Sequence, residues 1–385
     1  MEAILNRIFG TPEIPEAPPP GIYHRMITEG VDTPHRFHLR IEKDGTGVLI
    51  VDAAIVLHLN PTAAEHAYHM VQGKDERTAA EQLAARYRVS PYQARQDQRE
   101  LREQFLALAS TPDLDPVVFL GMERTDPAQV VPSAPYRLDC ALTYKLDESG
   151  TFDPLARARV DVELTSAEWK AILKKAWEAG IPHVTFTGGE PTLREDLPVL
   201  IATAEELGQI TGLLTDGHRL ADREYLQELD QAGLDHILVV YDPTDSRSDS
   251  GLKNALETDI FTAVHLLIKE GSGVDEALWT KLKEYHVEAV SLSAAGDSVE
   301  ITEALGRARD EAASRGFDLI WDLPAPYSAN NPIQSEIEAT PAGAGVTRLY
   351  VEPDGDVLPA QGVNRILGNL LREPWDQIWS QAQKH

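Results

Sequence analysis

Residues 183–192 read HVTFTGGEPT, and this stretch decides the fold. Its first half is β-branched and aromatic, as expected of a strand, and it stops on a Gly-Gly-Glu-Pro turn directly before a helical pattern. Glycines let a main chain come close to a ligand because they lack a side chain. A carboxylate fixed at the carboxyl end of a strand can bind the charged amino group of an amino-acid-like ligand. The stretch therefore predicts a strand followed by a small-molecule site at Gly188, Gly189, Glu190 and Pro191.

A second strand is predicted shortly before it, at residues 138–145, which read LDCALTYK. From residue 136 to residue 321, strand patterns alternate with amphipathic helical patterns at a spacing of about 25 residues. Such alternation indicates βα units with right-handed crossovers and a parallel sheet. A doubly wound open sheet and a barrel have the same pattern, so the periodicity alone leaves both open.

Together these pieces resemble the core of the radical S-adenosylmethionine (radical SAM) enzymes. That family places a Leu-Thr-Tyr-Arg-like sequence at the end of its first strand and Gly-Gly-Glu-Pro after its second, and residues 142–145 and 188–191 match them. The turn Thr215-Asp216-Gly217 is similar to the family's Thr-Asn-Gly turn, with an acid in place of the amide. The resemblance implies a partial (β/α)6-type TIM-like barrel over residues 136–323. It also implies that these two turns would contact S-adenosylmethionine, with Glu190 on its methionyl amino group.

The cysteines of the family's C-x-x-x-C-x-aromatic-C motif are missing. Their positions hold Leu146, Gly150 and Asp153, and the single cysteine of the chain, Cys140, lies outside the motif. Since the family's [4Fe–4S] cluster is held by thiolates, we expect this chain not to bind it. We expect Cys140 to be a buried, inert thiol. No cofactor is therefore certain from the sequence, and S-adenosylmethionine is the one that the remaining turns could hold.

The N-terminal third has a different pattern. Residues 1–35 are predicted to form a short amphipathic helix and a proline-rich tether, and residues 36–110 combine a hairpin signal with three helical patterns. This winged-helix-like arrangement resembles the small PqqD-like domain of pyrroloquinoline-quinone biosynthesis and of other peptide maturation systems. The resemblance implies capture of a leader peptide as an added strand at the sheet edge, beside a helix. A winged-helix module that only packs on the barrel is the alternative.

Two further segments complete the predicted organisation. Residues 111–135 are rich in proline and aspartate, which predicts a linker. Residues 324–385 contain a hairpin signal around Pro353-Asp354-Gly355, followed by a helix. This last segment resembles the start of the auxiliary-cluster (SPASM) region of peptide-modifying radical SAM enzymes, and Ala360 stands where that region has a cysteine. The resemblance implies a short SPASM or twitch-like remnant without its cluster ligands.

The composition excludes several classes of protein. The 385 residues are 42% hydrophobic and 25% charged, with a formal net charge of −27 at pH 7. Such a charge repels phosphate backbones and argues against nucleic acid as a partner. No apolar run is long enough to span a bilayer and residues 1–10 lack the layout of a signal peptide, which indicates the cytoplasm. A single cysteine excludes an internal disulfide framework.

Some of these residues also have a purely structural interpretation. Glu190 could serve only to fold its βα unit, at the N-terminal end of a helix. Asp147, Glu148 and Asp153, with Asp139 nearby, could hold a hard divalent cation, and a solvated acidic loop is the alternative.

The sequence supports three functions. The first is a cluster-less radical SAM-like protein, a pseudoenzyme, that acts in ribosomal peptide or protein maturation by binding a leader peptide or partner. The second is an enzyme that binds S-adenosylmethionine or a related nucleotide in the barrel for polar chemistry. The third is a conventional radical SAM peptide-modifying enzyme, which needs ligands that the sequence does not contain. The sequence leaves open whether the chain is an enzyme.

Overall fold

The computed structural model of the chain describes residues 15–52, 55–111, 114, 119–120, 132–147, 160, 162–269, 275–295, 298–320 and 343–384. The chain forms two compact units, Met1–Asp126 and Pro127–His385. Within the described ranges, every helix is too short or too polar to cross a bilayer.

The first unit contains an antiparallel sheet followed by helices. Its described elements are β1 Gly21–Ile27, β2 His35–Ile41, β3 Gly47–Val51, β4 Ile55–Leu59, α1 Pro61–Val71, α2 Glu76–Tyr87 and α3 Pro91–Ser110. The strands follow sequence order, each antiparallel to its neighbour. Phe37, Leu39 and Leu49 are fully buried and pack with apolar residues of α1 and α3. One face of the sheet and two helices therefore form the core of this unit.

Helix α1 begins at a pair of residues that favour a helix start, Asn60 and Pro61. The side chain of Asn60 accepts a hydrogen bond from the backbone N–H of Ala63 at 2.9 Å. Pro61 occupies the first helical position, where the missing N–H costs nothing. The last two of the three helical patterns predicted within residues 36–110 are confirmed as α2 and α3.

The prediction of a tether through residue 35 was wrong for Gly21–Ile27, which form β1. Ile27 is buried and Tyr23 packs against the core of the unit, so alternate side chains hold the strand in addition to its pairing with β2. The predicted hairpin is therefore part of a larger sheet, which buries more apolar surface than two strands can. The N-terminal helix predicted before residue 15 lies outside the described residues, as does most of the predicted linker at residues 111–135.

The second unit alternates strands and helices as predicted. Its described elements are β5 Arg137–Thr143, α4 Ser166–Ala179, β6 His183–Gly188, α5 Leu197–Leu207, β7 Ile210–Thr215, α6 Arg223–Gln231, β8 His236–Val240, α7 Ser246–Leu256, β9 Phe261–Ile268, α8 Glu276–Glu284, β10 Ala289–Ala294, α9 Val299–Ser314, β11 Asp318–Leu319, β12 Arg348–Val351, β13 Asp356–Leu358, β14 Gly368–Asn369 and α10 Trp375–Ala382. Strands β5 to β11 are parallel and lie in sequence order.

The two faces of this sheet are covered differently. The outer face, which carries Leu138, Cys140 and Val184, packs against buried residues of the helices. The opposite face, here called the inner face, carries Leu214 and Leu238, whose cluster in the described chain contains no helix residue. A doubly wound sheet has helices on both faces. The one-sided arrangement, with β11 and β14 at separate ends of the sheet, confirms the partial (β/α)6-type barrel.

The predicted C-terminal hairpin is confirmed. Strand β12 runs parallel to β5, with Val351 opposite Cys140. Strand β13 returns antiparallel to β12 after the turn that contains Gly355, whose φ of +89° favours glycine. Strand β14 pairs with β13 in turn. The C-terminal segment therefore extends the sheet of the barrel beyond its first strand.

Candidate functional site

The Gly-Gly turn after β6 packs directly on the end of β5. The backbone N–H groups of Gly189 and Glu190 donate to the carbonyl oxygens of Thr143 and Lys145 at 2.8 and 2.7 Å. A Cβ atom on Gly188 would lie 2.2 Å from the carbonyl oxygen of Thr143, and one on Gly189 would lie 2.1 Å from that of Lys145. Both distances are too short for any side chain. The glycines therefore serve a close approach between two parts of this chain, whether or not a ligand also comes near.

The Glu190 carboxylate is buried at the carboxyl end of the sheet, with 4% of the residue exposed. Its Oε1 accepts hydrogen bonds from the backbone N–H and the hydroxyl of Thr192 at 2.9 and 2.5 Å, and from the hydroxyl of Thr215 at 2.8 Å. Its Oε2 accepts one hydrogen bond, from the backbone N–H of Asp216 at 2.8 Å. Since each carboxylate oxygen has about two lone-pair directions, Oε2 can still accept from a further donor.

Burial and the neighbouring Asp216 carboxylate raise the pKa of Glu190 to about 8. The four donors around Glu190 act in the opposite direction, because they favour the ionised form. A cation that reached Oε2 would relieve the repulsion between Glu190 and Asp216. The site is therefore built to gain from an ammonium or similar group, as well as to hold its own loop.

The Thr215-Asp216-Gly217 turn meets Glu190, as the order of parallel strands requires. The backbone N–H of Gly217 donates to the hydroxyl of Thr215 at 3.1 Å, which closes the turn. Pro191 begins a single 3-10 turn, Pro191–Leu193, for which Glu190 is the N-cap. The structure thus brings all the predicted turn residues to one edge of the sheet.

Sequence reasoning missed a half-buried histidine beside this turn. Nδ1 of His218 lies 3.2 Å from Oδ2 of Asp216, and Nε2 lies 3.1 Å from Oδ2 of Asp245. The three side chains are each about one third exposed. Asp245 is also the N-cap of α7, where its carboxylate accepts backbone N–H groups. The sequence signal for this contact of His218 with two carboxylates was its position, two residues after Asp216. The carboxyl ends of β7 and β8 lie at the same edge of the sheet.

The positions of the family's cluster ligands offer no thiolate. Leu146 is half-buried at the first position, and Ala360 is buried after β13. Gly150 and Asp153 lie outside the described residues. Cys140 is fully buried on the outer face, where burial and Asp139 raise the pKa of its thiol. The residues present do not fit a [4Fe–4S] cluster, since its ligands are thiolates.

The predicted acidic site is only partly described. Asp139 faces the inner side of β5, is 3% exposed and lies 2.8 Å from Nε of Arg137, so it is a paired core residue. Burial raises its pKa, although Arg137 opposes the shift. Glu148 and Asp153 lie outside the described residues. In the ranges that the structure describes, no group of three or more His, Cys, Asp or Glu side chains could hold a metal ion.

A second polar group on the inner face was not predicted. His265 of β9 lies between two serines of β10: its Nδ1 is 3.1 Å from Oγ of Ser291 and its Nε2 is 2.8 Å from Oγ of Ser293. Thr187, at the end of β6, is fully buried, and its hydroxyl has no hydrogen-bond partner in the described chain. Alternation along β9 and β10 could have predicted the face that these residues occupy, but not that His265 lies between the two serines.

In the first unit, β4 is a terminal strand of the sheet and lies next to α1 in sequence. In the described chain its outer edge has no neighbouring strand, so backbone groups there can pair with an added strand. On α1, Glu65 is buried and accepts hydrogen bonds from Nε of Arg86 at 2.9 Å and from the Tyr87 hydroxyl at 3.0 Å. This ion pair joins α1 to the end of α2.

Comparisons with known proteins agree with this architecture. The radical SAM superfamily profile matches residues 140–273. A PqqA peptide cyclase from Gluconobacter oxydans is 32% identical over 235 residues, which cover 58% of this chain and 63% of that protein. One from Streptomyces rochei is 28% identical over 262 residues, which cover 59% of this chain and 70% of that protein. The first of these relatives is thus matched over less than two thirds of its length.

Solved structures resemble the chain over more of its length. SuiB from Streptococcus suis bound to S-adenosylmethionine has a TM-score of 0.58 at 16% identity, covering 92% of this chain and 88% of that one. SuiB bound to its precursor peptide SuiA has a TM-score of 0.56 at 16% identity, covering 89% and 86%. At this identity the similarity concerns the fold.

Proposed function

We propose that this chain, in which residues 140–273 form a radical SAM superfamily domain, acts in the maturation of a ribosomally made peptide by binding the peptide or a protein partner, without generating a radical. The observation that carries the proposal is the lack of cysteine thiolates that could hold an iron–sulfur cluster at the motif positions. The chain has one cysteine, and it is buried in the core away from the motif positions. Because the cluster of such enzymes is held by thiolates, the proposal assigns this chain binding and not radical chemistry.

A peptide partner is supported by the similar proteins and, independently, by the sheet edge of the first unit. The relatives are named PqqA peptide cyclase, and SuiB has been solved with a precursor peptide. In this chain, the PqqD-like domain proposed for residues 36–110 offers the edge of β4 beside α1. An extended peptide could add there as a strand, with main-chain hydrogen bonds supplying affinity and side-chain pockets supplying specificity.

Calorimetric titration of the full chain tests this binding mode. The ligands are synthetic copies of the short peptides encoded beside the gene. We expect one of them to bind, and we expect a version with alternate backbone nitrogens methylated to bind at least about tenfold more weakly, because methylation removes donors without changing side chains. Equal affinity of the two versions would rule out strand addition. Failure of every neighbouring peptide would count against the proposed function itself.

Reconstitution separates the proposal from conventional radical chemistry. After anaerobic incubation with iron and sulfide, followed by desalting, we expect colourless protein, because one buried thiol cannot replace a set of thiolate ligands. A brown protein that retains iron and sulfide in stoichiometric amounts would favour a radical SAM enzyme that uses other donors.

The second candidate is an enzyme that binds S-adenosylmethionine or a related nucleotide for polar chemistry. It is favoured by one observation, the buried Glu190 carboxylate with a free acceptor direction beside Asp216. Val240 stands where many family members place a ribose-contacting serine, which weakens the match. Calorimetry with S-adenosylmethionine tests it, with Glu190→Gln as the loss variant and the exposed Glu195→Gln as its control. Binding that both variants retain would exclude Glu190 as the ligand contact.

A further inference from the structure

The inner face of the barrel carries one histidine flanked by two serines. His265 lies on β9, and Ser291 and Ser293 lie two residues apart on β10, so all three side chains point to the same side. His265 and Ser291 are register partners across the two parallel strands. The surrounding inner-face residues are apolar, among them Leu238, Ala263 and Ala289. The three residues therefore form a polar group bordered by apolar residues of β8, β9 and β10, here called the Ser-His-Ser group.

His265 is neutral in this setting. The residue is 3% exposed, and burial alone lowers its pKa to about 4. A neutral imidazole has one N–H donor and one acceptor nitrogen. Each nitrogen faces a serine hydroxyl, at 3.1 and 2.8 Å, so one serine must accept from the ring and the other must donate to it. The tautomer of His265 thus decides the hydrogen-bonding role of both hydroxyls.

Ser293 is the member that a ligand can reach. Ser291 is buried, whereas Ser293 and its neighbour across the strand pair, Leu267, are half-buried. When Ser293 donates to His265, its oxygen can accept a bond from a ligand; when it accepts from His265, its O–H can donate to one. A shift of the ring tautomer, with Ser291 turning to compensate, converts one state into the other. Ser293 can therefore match a donor or an acceptor, but the group supplies no charge.

We propose that the Ser-His-Ser group is a binding contact in the barrel for an uncharged hydrogen-bonding group of the bound peptide, a carboxamide or a hydroxyl. This rests on the proposed function, in which the ligand of the chain is a peptide. Burying a carboxylate or an ammonium without a counter-charge costs much more than burying a neutral polar group that finds a partner. The apolar neighbours of the group and the neutral ring therefore select against charged side chains at this point.

The test uses small probes and the full chain labelled with ¹⁵N only in histidine. Acetamide, acetate and methylammonium are titrated separately, and the ring ¹⁵N signals of His265 are followed by NMR, assigned by their loss in His265→Gln. We expect acetamide to shift these signals saturably and the two ions not to. Saturable shifts of similar midpoint with acetate or methylammonium, or no response to acetamide, would overturn the proposal.

Two serine variants distinguish the residue that contacts the ligand from the residue that positions the His265 ring. Ser293→Ala is expected to weaken acetamide binding about tenfold, because it removes the reachable hydroxyl. Ser291→Ala is expected to move the resting ring ¹⁵N shifts towards a single tautomer, since Nδ1 then loses its partner; unchanged shifts would refute its positioning role. The exposed Ser250→Ala is the control. Peptide binding at the β4 edge is measured apart from this, so a failure here leaves the proposed function standing.

Discussion

The backbone N–H of Asp216 donates to Oε2 of Glu190 over 2.8 Å, so the carboxylate that ends one βα unit is held by the turn of the next. Thr215 adds its hydroxyl to the other carboxylate oxygen. Glu190 therefore fastens the ends of β6 and β7 together. The same bonds hold the carboxylate at the carboxyl edge of the sheet, where ligands of α/β barrels bind. A structural role and a ligand-binding role are thus compatible in one residue.

Replacement of Gly189 by alanine should strongly destabilise the second unit. The added Cβ would lie 2.1 Å from the carbonyl oxygen of Lys145, which is backbone and cannot move aside cheaply. We expect a loss of about 2–4 kcal/mol in the free energy of unfolding, measured with urea. Gly306→Ala in α9 is the control, because nothing lies within 4 Å of its Cβ position, and helix propensity should make it more stable by about 1 kcal/mol. Equal effects would contradict the close packing of the turn.

The Glu190→Gln variant should change both stability and its pH dependence. A glutamine amide cannot accept from every donor around this position, so one N–H or O–H is left unpaired, at a cost of about 1–3 kcal/mol near neutral pH. Because the folded-state pKa of Glu190 is raised from 4.5 to about 8, the folded protein binds more protons than the unfolded chain between these values. Wild-type stability should therefore fall as pH rises from 4.5 to 8 and then level off.

Urea unfolding of both proteins across this pH range measures the effect. The difference between wild type and Glu190→Gln should shrink as the pH rises, because only the wild type loses stability at this site. A constant difference would mean that Glu190 is ionised throughout. Glu195→Gln, at a carboxylate that is 87% exposed, should follow the wild type.

Most of the barrel could be predicted from the sequence, because apolar periodicity and the turn residues report on local structure. The strand before Gly188 and the helix with the Thr165 and Glu168 capping box are both local in this sense. Strand β1 was missed because its stability comes from pairing with residues of β2 that lie 8 to 20 positions further along the chain. The Ser-His-Ser group was missed for the same reason, since His265 and Ser291 become neighbours only through strand register. Long-range pairing, and not propensity, decides such features.

Glu65 should stabilise the first unit through its buried ion pair with Arg86. Burial favours the neutral acid, but the nearby His69 and the hydrogen bonds from Arg86 and Tyr87 outweigh it and lower the pKa of Glu65. Glu65→Gln leaves the Arg86 guanidinium without its counter-charge and should cost about 3 kcal/mol of unfolding free energy at pH 7. The exposed pair of Arg77 and Glu81 supplies the control, since Glu81→Gln should have no measurable effect.

The pH dependence of this effect has the opposite sign to that of Glu190. A lowered folded-state pKa gives stability that is present above the ordinary value of 4.5 and is lost as the pH falls through the folded-state pKa. The gap between wild type and Glu65→Gln should therefore close in acid. A gap that persists there would assign the loss to packing instead of charge.

Cys140 should be unreactive in the folded protein. It is fully buried, and burial raises the pKa of its thiol, so the reactive thiolate is scarce. Iodoacetamide at pH 8 should leave the native chain unlabelled by mass spectrometry and add one group in concentrated urea, since the chain has a single cysteine. Labelling of the native protein at the rate seen in urea would contradict the buried position and would reopen the thiol as a metal ligand.

Thr187→Val should make the protein more stable. The Thr187 hydroxyl is buried with no hydrogen-bond partner in the described chain, and valine has the same shape and suits a strand, so the substitution should add about 1 kcal/mol of unfolding free energy. Thr185→Val, two residues earlier on the same face of β6, is the matched control: the Thr185 hydroxyl interacts with the buried Asp139, and its loss should cost about 1 kcal/mol. The midpoints of urea unfolding of the two variants and the wild type test both expectations. If Thr187→Val is less stable than wild type, the hydroxyl has a partner in solution, and a bound water or ligand at the end of β6 must be sought.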